Sequence, residues 1–162
     1  MIEQTLVLVK PDGVARGLVG EVIKRFEQRG LKIVALKLFQ SDKTHAGKHY
    51  TEDIAQRHGE HVRKSLIEYI TRGPVVAMVI QGAGAIEVVR KIVGSTFPGE
   101  ADVGTIRGDF CHMPKDYVKK HNKGDNVVHA SANQEDASKE IPLWFSSKEL
   151  YNYKRNDDDN LI

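Results

Sequence analysis

Thr5-Leu-Val-Leu-Val-Lys10 is a continuous apolar run, and Pro11-Asp12-Gly13 stops it at once. Rich in β-branched residues and closed by turn formers, it reads as a buried strand with Lys10 at its exit. Residues 19–29 follow with Val19, Val22, Ile23 and Phe26 at helical spacing, Glu21, Lys24, Arg25 and Glu27 opposite, and Gly30 as the C-terminal cap. Residues 31–39 alternate as a second strand, interrupted by the polar Lys32 and Lys37. Residues 42–72 carry helical signals, as one helix or as two broken near His58-Gly59, until Gly73-Pro74 ends them.

Residues 75–80 form a third strand, and residues 84–93 a helix with Ile86, Val89, Ile92 and Val93 as its buried stripe. Residues 95–109 read as a loop dense in Gly, Pro and Thr, and residues 113–125 as a lysine-rich excursion. Residues 126–129 are a last short strand. The helix after it is capped either by Ser131, with Gln134 at capping-box spacing, or by Asn133. This order matches an α/β (α+β) fold: a ferredoxin-like βαββαβ sandwich with an antiparallel sheet, a helical insert and a C-terminal extension. The main domain spans residues 1–153. Residues 154–162, with Asp157-Asp158-Asp159, read as a polar tail, mobile or docked on a neighbouring subunit.

At 162 residues, with 40% hydrophobic and 28% charged residues, the chain suits one globular domain. A net charge of +2 argues for neither nucleic acid nor an anionic membrane surface, and leaves anionic small molecules open. Cys111 is the sole cysteine, and residues 1–30 carry no signal-peptide pattern, so a reducing, cytoplasmic setting is expected. No apolar run approaches the roughly 20 residues of a membrane span.

The familiar nucleotide fingerprints are absent. There is no G-x-x-x-x-G-K-[ST] loop, and in Gly82-Ala-Gly84-Ala-Ile-Glu87 a carboxylate replaces the third glycine, so a strand-to-helix turn is the better reading. His45 and His49 share a helix face without the glutamate of H-E-x-x-H, and Cys111-His112 has no second thiol, so zinc is weak and solvated histidines are expected there. An RNA-reading sheet would need aromatic residues on its first and third strands, which have none.

His129 stands apart. It is a core histidine, a metal ligand or a reacting group, and it sits at a strand end just before a helix, where free N–H groups and the positive helix end favour an anion. Lys10, Arg90, Thr96 and Arg107, the last between Gly104 and Gly108, add phosphate-compatible groups from separate segments. Together they suggest a polyphosphate pocket served by His129.

These motifs closely resemble the nucleoside diphosphate kinase family. The resemblance is carried by Lys10-Pro-Asp-Gly-Val, Arg16-Gly-Leu-Val-Gly20-Glu, His49-Tyr50, Gly73-Pro-Val-Val-Ala-Met78, Gly104-Thr-Ile-Arg-Gly-Asp-Phe110, Asn126-Val-Val-His129-Ala-Ser131 and Glu140-Ile-Pro-Leu-Trp-Phe145. It implies a ping-pong transfer of the γ-phosphate of ATP or another nucleoside triphosphate to a nucleoside diphosphate, through a phosphohistidine at His129. By the same resemblance Arg90, Thr96 and Arg107 bind phosphates, and Lys10 and Asn126 bind the ribose hydroxyl and adjoining phosphate oxygens. Tyr50 lies near the transferring group, and Ser131 and Glu140 orient the histidine. Mg2+ would arrive with the nucleotide rather than in a protein cage, so no protein metal ligands are expected. The resemblance further implies a homo-oligomer, a hexamer or alternatively a tetramer.

Departures from the family pattern are equally specific. Ala132 stands where the family has an aspartate, and insertions fall near residues 51–64 and 113–125. The aromatic residue that stacks on the base is missing, with Val62 or His58 in its place depending on the direction of counting. A member that has lost efficient catalysis is the rival these departures allow.

Overall fold

The computed structural model describes residues 1–156 and 158. In chain order the elements are β1 (Ile2–Val9), α1 (Pro11–Ala15), α2 (Val19–Gln28), β2 (Lys32–Phe39), α3 (Lys43–His49), α4 (Glu52–His58), α5 (Glu60–Thr71), β3 (Val75–Ala83), α6 (Ala85–Val93), α7 (Ile106–Phe110), α8 (Lys115–His121), β4 (Val128–Ala130) and α9 (Gln134–Trp144). The sheet runs β2-β3-β1-β4, with every neighbouring pair antiparallel. This is the expected ferredoxin-like sandwich. Among the described residues no helix is long and apolar enough to cross a membrane.

Strands β1 and β3 are continuous apolar runs because both faces of the sheet are covered. On one face Val7, Val9, Val76, Met78 and Ile80 pack against Val22 and Phe26 of α2 and Val89 and Val93 of α6. On the other, Leu6, Leu8, Ala77 and Val79 meet Ala46 of α3, Ile70 of α5 and Trp144 of α9. Gly30 and Gly94, both at positive φ, end α2 and α6 as their positions suggest.

Residues 42–72 hold three helices. The break at Gly59 is as anticipated; a second falls at Tyr50-Thr51, where Tyr50 caps α3 and the extended Thr51 precedes α4. Residues 95–109 are less irregular than their composition suggests. Thr105 accepts a hydrogen bond from Gly108 N at 3.0 Å and so starts α7. Gly108 is needed for packing rather than for ligand approach, since a Cβ there would lie 2.0 Å from the Asp102 carbonyl oxygen. Asn133, not Ser131, caps α9, its Oδ1 accepting from Asp136 N at 2.8 Å.

Lys32, a polar interruption of β2, is buried. It pairs with Asp158 at 2.9 Å, while Arg155 donates to the carbonyls of Gly30 and Leu31. The described part of the tail thus docks on its own chain. Phe26 is fully buried between α2 and the sheet. Truncating it to alanine is expected to cost about 3–5 kcal/mol in equilibrium urea unfolding; a loss under about 1 kcal/mol would contradict this packing.

Candidate active site

Pairing of β4 with β1 sets Leu8 opposite His129, so the imidazole emerges on the α3–α9 face of the sheet. There its Nε2 lies 3.0 and 3.1 Å from the two oxygens of Glu140 on α9. Ser131 Oγ donates to the same carboxylate at 2.5 Å and accepts from Leu6 N at 3.2 Å. Burial alone would raise the Glu140 pKa, but His129, its hydrogen bond and Ser131 outweigh burial and hold it at about 2. An ionised carboxylate only accepts, so His129 Nε2 is the donor in these contacts and Nδ1 is left out of them.

His49, expected to be solvated, is buried at 8% exposure because α3 packs it between Trp144 and His129. Trp144 Nε1 donates to His49 Nδ1 at 3.2 Å. Burial, then the neighbouring His129, pushes the His49 pKa down to about 3, so its ring is neutral and its 3.9 Å approach to Glu140 is no ion pair. It stands edge-on to His129, ring centroids 4.6 Å apart. His49, His129 and Glu140 place three donor atoms within 4.8 Å of one another, spacing that would suit a metal. His129 Nε2, both Glu140 oxygens and His49 Nδ1 are held in the hydrogen-bonded array, while His49 Nε2 is buried without a partner among the described residues, and we read the cluster as an orienting device for His129. His45 is also held, between Ser41 Oγ and the Leu143 carbonyl.

Beside this array lies a buried cationic group. Lys10 Nζ donates to Asn126 Oδ1 at 2.8 Å, and Asn126 Nδ2 donates to the Thr96 carbonyl at 3.0 Å. Arg107, 5% exposed, donates to the carbonyls of Gly94, Asn126 and Val128. Burial, then repulsion from Arg107, lowers the Lys10 pKa to about 7; burial, then Arg90, lowers that of Arg107 to about 10. Cations held together against repulsion favour a polyanion between them.

Arg90 itself is exposed on α6 and, with Gly94, Ser95, Thr105, Ala132 and Asn133, lines an open cleft of about 860 Å³. His129 does not line this cleft, so the site is defined by its chemistry. Tyr50 is buried beside His49, its hydroxyl without a partner among the described residues. Thr96 is exposed, and only its carbonyl joins the network.

The sequence reading missed the Trp144–His49 contact and a turn at Val127, where φ is 67°. His49-Tyr50 within a family motif was a signal for the first. No residue type marked the second, since valine disfavours that conformation.

An imidazole oriented through Nε2 by a carboxylate, next to buried cations suited to phosphate oxygens, is equipped to take up a phosphoryl group on nitrogen. Such a site suits a phosphotransferase. Comparison with known proteins narrows the class: residues 3–150 match the family model described as nucleoside diphosphate kinase. The nucleoside diphosphate kinase of Borreliella burgdorferi is 50% identical over 98% of this chain and 96% of its own. That of Pyrococcus abyssi is 51% identical over 96% and 92%.

Among solved structures, a transition-state mimic of the Borrelia burgdorferi nucleoside-diphosphate kinase, with bound vanadate and ADP, superposes with a TM-score of 0.95. It is 49% identical and covers 99% of this chain and 96% of its own. An NDP kinase from Pyrobaculum aerophilum superposes at 0.85 with 35% identity, over 94% and 100%. The chain belongs to the nucleoside diphosphate kinase family, and its activity is transfer of the terminal phosphate of a nucleoside triphosphate to a nucleoside diphosphate.

The depressed Glu140 pKa has a consequence for stability. Above its ordinary value of 4.5 the carboxylate is ionised in folded and unfolded chains and its contribution is complete; as pH falls from 4.5 towards 2 the unfolded chain binds the proton first and the contribution is lost. Glu140→Gln is expected to flatten the pH dependence of the unfolding free energy in that window. An unchanged slope would show that Glu140 is not held ionised by His129 and Ser131.

Proposed function

We propose that His129 Nδ1 is the nucleophile. Its lone pair attacks the γ-phosphorus of the donor nucleotide, the N–P bond forms as the bond to the β–γ bridging oxygen breaks, and the nucleoside diphosphate leaves with that electron pair. A terminal phosphate oxygen of the next nucleoside diphosphate then attacks the phosphohistidine and releases the imidazole. The observation that carries this reading is the bond from His129 Nε2 to the ionised Glu140, which engages Nε2 and leaves Nδ1 as the ring nitrogen available for attack. Vanadate and ADP in the Borrelia burgdorferi relative support the same chemistry here.

Ser131 and Glu140 hold the ring, and Glu140 offsets the positive charge the imidazole gains as the N–P bond forms. Arg107 spends three of its N–H groups on backbone carbonyls and keeps the rest for phosphate. Arg90 approaches from the cleft side, and Thr96, exposed next to the cleft-lining Ser95, is assigned to phosphate with it. Lys10 and Asn126 are assigned to the ribose hydroxyl and nearby phosphate oxygens, and the unpartnered Tyr50 hydroxyl to the transferring group.

Lys10, Arg90 and Arg107 bring cations to the phosphate side, and Ala132 adds no oxygen donor, so we assign Mg2+ to the nucleotide rather than to a protein cage. Bound there, it would neutralise phosphate charge. Asn122 donates to the His61 carbonyl and accepts from Ser65 Oγ, so the 113–125 insertion meets α5 near Val62, beyond the exposed His58. We place the base at this meeting point. Exposed Leu36 and Leu38 on the edge strand β2 support a homo-oligomer, for which a hexamer, or alternatively a tetramer, is our assignment. A free Cys111 agrees with a cytoplasmic setting.

Incubation with γ-labelled ATP and no acceptor is expected to give an acid-labile, base-stable phosphoprotein that His129→Ala abolishes. Equal labelling of the variant would refute His129. Steady-state transfer from ATP to a pyrimidine diphosphate is expected despite Ala132, and its absence in labelled protein would favour a member that has lost turnover. Glu140→Gln is expected to lower kcat by about 10- to 100-fold.

A further inference from the structure

Between Asn126 and Val128 the chain makes a turn that an L-residue rarely accepts. Val127, β-branched, has φ of 67°, and Val128 N donates to Asn126 O at 2.7 Å across it. This is the strained three-residue turn, normally avoided by valine. Its position matters because it lies between Asn126, whose side chain meets Lys10, and His129.

The turn is gripped from one side by a buried carboxylate and a phenol. Asp12 Oδ2 accepts from Val127 N at 3.1 Å. Tyr69 OH donates to Asp12 Oδ1 at 2.5 Å and accepts from Asn126 N at 3.2 Å. Asp12 and Tyr69 are each 8% exposed, and the Arg72 guanidinium lies 4.5 Å from the Tyr69 ring centroid. Lys10 N donates to Val127 O at 2.7 Å, and Arg107 holds the carbonyls on either side of Val127. The Val127 side chain is fully buried in the core, which offsets part of the strain.

We propose that Asp12 and Tyr69 are positioning residues for phosphoryl transfer: they hold the strained turn at Val127, which fixes Asn126 and Lys10 relative to His129. Neither reaches the reacting atoms; both act through the backbone of residues 126–127. Removing the Tyr69 hydroxyl leaves Asp12 short of one donor and Asn126 N without its acceptor, and the turn relaxes towards ordinary negative φ. Lys10 and Asn126 then meet the nucleotide out of register with the imidazole. The loss falls on kcat, because the donors for binding remain while the geometry of attack does not.

The inference rests on His129 as the phosphate acceptor, and the two ideas separate experimentally. Tyr69→Phe is expected to reach wild-type stoichiometry of acid-labile phosphate from γ-labelled ATP, only more slowly, whereas failure of the His129 assignment shows as label in His129→Ala. In steady-state transfer Tyr69→Phe is expected to lose about 10- to 100-fold in kcat. In a Val127→Gly background, where glycine holds positive φ without help, the same substitution is expected to cost less than about threefold. Equal loss in both backgrounds, or none in the native one, overturns the proposal. A crystal structure of Tyr69→Phe serves independently of how Val127→Gly folds: Val127 at negative φ is the expected result, and a retained positive φ with a lowered kcat overturns it.

Discussion

Leu8 faces His129 across the β1–β4 ladder, and the site depends on that register. Side chains alternate between faces, so a slip of one residue would turn His129 into the α2–α6 core and replace it with Val128 or Ala130. The register is held by burial: Val128 and Ala130 share one apolar face with Val7 and Val9, while Leu6 and Leu8 belong to the other. With His129 fixed, Ser131 falls two residues on along the same face, where Leu6 N and Ser131 Oγ bond and the hydroxyl reaches Glu140. The exit of β1 delivers Lys10 beside Asn126.

The site joins two electrostatic designs within one small volume. Around His129 an ionised carboxylate and a neutral, buried His49 fix one tautomer and one ring orientation. Around Lys10 and Arg107 the cations are buried, close together and held below their ordinary pKa values, which makes an incoming polyphosphate the group that relieves their repulsion. A strained turn at Val127 joins the two, and buried contacts on both sides hold it in place.

Much of this was legible in the sequence, for identifiable reasons. The apolar runs at residues 5–10 and 75–80 are continuous because helices cover both sheet faces, and the spacing of Val22 and Phe26 shows which side of α2 faces inward. His129, Lys10 and Arg107 could be picked out as residue types at strand ends and between glycines. Contacts between residues far apart in sequence were not readable from spacing: Glu140 to His129 across β4 and α9, and Trp144 to His49, 95 residues apart. Gly108 misled because a glycine that packs against a carbonyl looks the same in sequence as one that admits a ligand. The burial of Lys32 was not readable either, since its buried partner Asp158 lies in the tail.

The central claim is that Glu140 fixes the proton on His129 Nε2 and leaves Nδ1 to carry the phosphate. Its most direct test is the position of phosphorylation, read by nitrogen and phosphorus NMR on enzyme labelled in its histidines and phosphorylated with ATP in the absence of acceptor. Phosphorus coupled to Nδ1 of His129, with Nε2 protonated, is the expected result. Phosphate on Nε2, or on another residue, would contradict the account.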